Sequence, residues 1–193
     1  MIKTFFACLI ASLAFATAAL AAPFGIAMGT PVNQLTVVST ESPNTYKIRV
    51  PIPNSEFESY TVIAPPGIGV CKIIAVGRDH TGDHDGMAIR ATYSDLKTAL
   101  ASKYGPSKEF DFIKNGALWS GDTEFAMSLR QNERILSSFW TAGYGSALPG
   151  DLTGVMIEGH ATSASSTYVN IVYEYANFTQ CSASANARDN SAL

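Results

Sequence analysis

The chain is poor in the patterns that announce chemistry. Its 193 residues hold three cysteines and no C-x-x-C pair, which argues against a thiol–disulfide exchanger. Neither a phosphate-binding P-loop nor a dinucleotide G-x-G-x-x-G fingerprint occurs. Gly143-Tyr144-Gly145-Ser146 does not complete the G-x-S-x-G elbow of a serine hydrolase. Charge of one sign is scarce too: 13 Lys and Arg stand against 16 Asp and Glu, for a net charge of −3. Without a basic stripe, neither nucleic acid nor an anionic membrane surface is an expected partner. Beyond the first 21 residues, no apolar run is long enough to cross a bilayer, so no stable membrane anchor is expected.

What the chain does have is an export signal over residues 1–21. Lys3 supplies the positive start, Phe5 to Leu20 is nearly continuous apolar sequence, and Ala19-Leu20-Ala21 is a small-x-small cleavage site. Cys8 lies in the middle of the apolar run, which is the wrong place for lipid attachment. The expected product is an exported protein, periplasmic in a bacterium or extracellular. In such a compartment the two remaining cysteines, Cys71 and Cys181, are expected to form one disulfide.

Hydrophobic periodicity then assigns elements. Phe24 to Gly29 reads as a short strand, and Thr30 to Leu35 as a short helix with Thr30 as cap and Pro31 at its first position. Ser39 to Thr45 is polar, with Pro43-Asn44 as a turn. Tyr46, Ile48, Val50 and Ile52 alternate with polar residues and proline, as in a half-buried strand. Phe57 to Ile63 and Val70 to Val76 flank Pro65-Pro66-Gly67 as two further strands. The clearest helix is Thr92 to Tyr104, with Tyr93, Leu96, Leu100 and Tyr104 on one face and Gly105-Pro106 as its stop. Later strands are expected at Phe110 to Ile113, Leu118-Trp119, Phe125 to Arg130, Ile135 to Ala142, Leu152 to His160 and Thr167 to Tyr175.

This order predicts an α+β fold, with antiparallel sheet and two helices in a single domain over 22–181. The halves 22–90 and 91–181 also admit a diverged tandem α-β-β-β repeat. Residues 182–193 read as a disordered tail.

Two stretches resemble known exported bacterial proteins. Gly25-Ile26-Ala27-Met28-Gly29-Thr30-Pro31-Val32-Asn33-Gln34-Leu35 resembles their G-x-x-x-G-M-S-x-x-E-V opening. Leu96 to Pro106 is similar to their L-x-x-x-L-x-x-K-Y-G-x-P helix ending. The units they mark are the helix-plus-meander modules of the outer-membrane assembly lipoprotein BamE and of the β-lactamase inhibitor protein. That resemblance implies the fold and a tendency to bind proteins, so the expected partner is another envelope or extracellular protein.

Three groups of residues are candidates for function. Asp79, His80, Asp83 and His84 lie within one Gly-rich loop at spacings that would suit zinc, nickel or copper, and the loop also reads as an ordinary solvated turn. No other cofactor is implied. Glu158 and His160 share one face of a strand, either as an acid/base couple of an unrecognised hydrolase or as a rim pair. Trp140, Tyr144, Tyr168 and Tyr173 belong to an aromatic-rich second half, and form either a protein-binding surface or part of the core. Phe139 and Trp140 are adjacent on a strand and must point to opposite faces. The leading expectation is a non-catalytic interaction module. Divalent-metal binding through residues 79–86 is the alternative, and a hydrolase is the weaker one.

Overall fold

The computed structural model describes residues 22–190, so the segment 1–21 expected to be an export signal, with Cys8 in it, lies outside the described residues. The strands are β1 (Thr36–Ser42), β2 (Thr45–Arg49), β3 (Phe57–Ile63), β4 (Lys72–Gly77), β5 (His80–Thr81), β6 (Lys108–Ile113), β7 (Arg134–Trp140), β8 (Leu152–Ser163) and β9 (Ser166–Tyr175). The described α-helices are α1 (Met87–Tyr104), α2 (Phe125–Arg130) and α3 (Phe178–Asn190). The fold is α+β, as the element order implied.

All nine described strands join one antiparallel sheet in the order β1-β2-β3-β4-β9-β8-β7-β6, with β5 pairing β9 off this path. Two four-strand meanders therefore meet through their last strands, where Ile73 lies opposite Tyr173 and Ala75 opposite Ile171. The tandem α-β-β-β reading is corrected in two respects. Each half gives four strands to the main path rather than three, and only the second half carries a full helix before its meander. In the first half the helix expected over Thr30 to Leu35 is a single 3₁₀ turn, Val32–Gln34. Two inward side chains, Val32 and Leu35, are too few to sustain a longer helix against the cost of nucleating one.

The two-residue period of the strands sorts side chains onto two faces. One face carries Val62, Ile73, Val155, Ile157, Val169, Ile171, Tyr173 and Tyr175, all buried. Helix α1 lies on this face and buries Ile89, Tyr93, Leu100 and Tyr104, and the Tyr93 hydroxyl meets Ser138 Oγ on β7 at 2.6 Å. Tyr104 and Trp140 fill the layer between helix and sheet, and the Trp140 indole donates to the Gly105 carbonyl at 3.0 Å.

Several local expectations change. Phe24 to Gly29 is not a strand: a 3₁₀ turn spans Pro23–Gly25, and Phe24 packs edge-on against Phe57, Tyr60 and Tyr173. Phe125–Arg130 is helical, because its buried residues Phe125, Ala126, Ser128 and Leu129 recur at helical spacing. Leu118-Trp119 is irregular, with Leu118 82 % exposed. A strand, β1, runs through the segment read as polar, although the Pro43-Asn44 turn stands where expected. Helix α1 starts five residues before Thr92.

Over Ser182 to Asn190 the expected disordered tail is instead a continuation of α3, and residues 191–193 lie outside the described residues. The Cys71–Cys181 disulfide, whose Cα atoms stand 6.6 Å apart, fixes the first turn of α3 to the chain just before β4. The same junction is held by the Asn177 amide donating to the Val70 carbonyl at 3.1 Å.

Candidate interaction surface

The second face of the sheet is covered by none of the described helices. Strand register lays one straight row of side chains across it: Lys108, Phe139, Met156, Val172, Ile74, Thr61 and Lys47, on seven successive strands. The centre of the row is apolar and half-buried, and each end is a lysine. Phe110 extends the apolar centre by meeting Phe139 edge-on, with centroids 5.7 Å apart. Phe112, two residues further along the same edge strand, is 47 % exposed.

A shallow groove of about 230 Å³ runs beside this row, lined by Phe139, Met156, Val172, Thr141, Thr153, Lys72 and Glu174 among others. Its rim is charged. Lys72 and Glu174 pair at 3.3 Å, and the Lys72 ammonium stands 4.1 Å from the centre of the Phe178 ring, in cation–π contact at the start of α3.

The next row is polar at its centre: Phe110, Ser137, Glu158, Asn170 and Val76. Here the sequence-derived pair does come together, with His160 Nε2 3.4 Å from Glu158 Oε2. The His160 ring stacks on Tyr168, its cross-strand neighbour, at 5.2 Å and 22°. Burial raises the Tyr168 hydroxyl pKa, and Asp79 nearby adds to the rise. His160 Nε2 and Asn170 Oδ1 are buried without a hydrogen-bond partner among the described residues. None of the clefts described gathers both Glu158 and His160 with a third polar group.

The loop candidates separate. Asp83 turns inward, is 5 % exposed, and accepts the N–H groups of Ala88 at 2.8 Å and Ile89 at 3.0 Å. Burial works against its charge, but these bonds, the Thr167 hydroxyl and the nearby His80 together hold its pKa below the ordinary value. The His84 ring contacts the Gly82 carbonyl at 3.0 Å, and Asp79 lies 3.5 Å from the Thr162 hydroxyl. No three His, Cys, Asp or Glu side chains, those of Asp79, His80, Asp83 and His84 included, form a metal-holding group among the described residues. Both carboxylate oxygens of Asp83 are taken up by N–H groups in the first turn of α1, whose N-cap position is Gly86.

The aromatic candidates divide likewise. Trp140 and Tyr173 are buried at 0 % and 6 % exposure and belong to the helix-side core, which corrects their assignment to a surface. Tyr144 is 48 % exposed in the one-turn Ala142–Tyr144 segment, and Tyr168 lies half-buried on the open face. Of the adjacent pair, Trp140 takes the core and Phe139 the open face. The apolar row itself went unnoticed in the sequence. Its signal was there in Lys72-Ile73-Ile74-Ala75-Val76, where apolar residues occupy both faces of the strand instead of one.

No helix among the described residues is long and apolar enough to cross a membrane. Comparisons with protein-family models, with curated proteins and with solved structures find no match.

Proposed function

We propose that this chain is an exported, non-catalytic interaction module that docks a protein partner on the open face of its sheet. The observation that carries the reading is the register row Phe139–Met156–Val172–Ile74, an apolar stripe over four adjacent strands with none of the described helices above it. A stripe of Phe and Met inside a polar and charged rim matches the make-up of protein interfaces. The lysines at its two ends and the Lys72–Glu174 pair supply that rim. Export is supported by the leader at residues 1–21, and the Cys71–Cys181 bond is compatible with an oxidising compartment. The resemblance of Gly25 to Leu35 and of Leu96 to Pro106 to protein-binding exported modules points the same way.

A photo-crosslinking residue at position 112, on the open face, tests the reading in the exporting cell. The comparison is the same residue at position 87, which is 74 % exposed at the start of α1. A discrete protein adduct from position 112 and none from 87 is expected. No adduct from 112, or equal adducts from both, would overturn the proposal.

A further inference from the structure

We infer that β1 is an association edge, and that its occupant is a second copy of this chain, paired antiparallel about a two-fold axis at Ser39. All seven β1 residues are exposed, including Val37 at 39 % and Val38 at 56 %. Among the described residues its only strand partner is β2. Ordering a residue costs more than one ladder hydrogen bond returns, so a strand buried on neither face gains by pairing on its free side.

The two edges of the sheet differ in how they are protected. On β6, Glu109 is tied to Lys97 at 2.9 Å and Asp111 to Arg90 at 2.8 Å, and Lys108 adds a third charge. Such a charged edge resists an added strand. On β1, Thr36-Val37-Val38-Ser39-Thr40-Glu41-Ser42 has one charge, four β-branched residues before it and neither Pro nor Gly. This is the composition of segments that pair with copies of themselves.

Charge placement selects the register. Centred on Ser39, an antiparallel pair sets Glu41 opposite Val37 of the other copy and Val38 opposite Thr40, so like charges never meet. The register shifts of β1 between Val37 and Ser39, and between Thr40 and Ser42, interrupt its edge on both sides of that centre. The pairing is therefore short and its product is a weak, closed dimer. The two-fold axis sets both open faces on the same side of one continuous sheet. This inference stands on the edge geometry and not on the open-face reading.

Sedimentation velocity of the mature protein, from micromolar to millimolar, should show a reversible monomer–dimer equilibrium. Ser39→Asp sets like charges across the axis; within its own chain it replaces a hydroxyl that donates to Glu41 and has Lys47 as its cross-strand neighbour. It should weaken the dimer about fivefold. On oxidation, Ser39→Cys should give a covalent dimer, whereas Ser42→Cys, about 20 Å from its own copy in this register, should not. A monomer up to millimolar concentration, or equal crosslinking from positions 39 and 42, would overturn the inference.

Discussion

The Asp83 carboxylate accepts the hydroxyl of Thr167, and this one contact ties the start of α1 to β9. The same carboxylate accepts the first-turn N–H groups of Ala88 and Ile89, so two elements distant in sequence are oriented by one buried charge. Asp83→Asn should destabilise the protein by about 2 kcal/mol, since hydrogen bonds to a charged acceptor are lost. The pH dependence follows from the lowered pKa. The stabilisation is fully present above the ordinary carboxylate value of 3.8 and is lost as pH falls through the lower folded value. Chemical denaturation of both forms across the acid range checks this, and the gap between them should close at the acid end.

Buried tyrosines limit stability at the opposite extreme. Burial pushes Tyr93 and Tyr104 up to about 12, and Tyr173 and Tyr175 higher still. Their neutral forms are favoured by folding, so the contribution is present below pH 10 and is lost as pH rises above it. Each group costs up to about 1.4 kcal/mol per pH unit in that window. Melting temperature should therefore fall steeply above pH 10, with cooperative growth of tyrosinate absorbance at the unfolding midpoint.

Opening the Cys71–Cys181 bond should release α3. The bond closes a separation of 110 residues, for which the chain-entropy model gives about 4–5 kcal/mol. Reduction, or Cys181→Ser, should lower the melting temperature and remove the helical circular-dichroism signal of α3, while the sheet remains. An unchanged melting temperature, or two free thiols in a titration of the untreated protein, would contradict this.

Two aromatic substitutions separate core from surface. Trp140→Ala empties a site with 0 % exposure and should cost about 3–5 kcal/mol. Tyr168→Ala removes only a half-exposed stack on His160 and should cost about 1 kcal/mol or less. Equal costs would mean that the two faces of the sheet are wrongly assigned.

Much of the architecture was legible because strand alternation is a local property. Phe57–Ile63 carries its own period of two and stands as read, and Val169, Ile171, Tyr173 and Tyr175 all face the core as their spacing implied. Gly105 stops α1 for an equally local reason, since its φ of 82° suits a residue without a side chain. The misreadings arise where a distant partner decides. Phe125–Arg130 is short enough to fit either period, and the space beneath Arg90 and Arg134, whose guanidinium groups sit 4.5 and 4.6 Å from the Phe125 ring centre, settles it as helix. Ser182 to Asn190 has little amphipathic pattern of its own and is helical where a disulfide anchors its first turn. At the candidate surface, the Glu158–His160 pair was visible as a two-residue spacing. The role of Asp83 was not, because its donors, two main-chain N–H groups of α1 and the distant Thr167 hydroxyl, come together only in the folded chain.

The sequence by itself determined the fold class, the pairing of the only two cysteines beyond residue 21, and the opposition of Phe139 and Trp140. Each of these follows from a fixed local period or from a lack of alternatives. Only the tertiary structure decided which of those two aromatics is buried, because α1 and α2 cover one face of the sheet and leave the other open. It also decided that Asp83 accepts main-chain N–H groups of α1 and that β1 stands exposed on both faces. Those outcomes depend on which strands become neighbours, and neighbours across a sheet are set by the packing of the whole chain and not by the residues beside them in sequence.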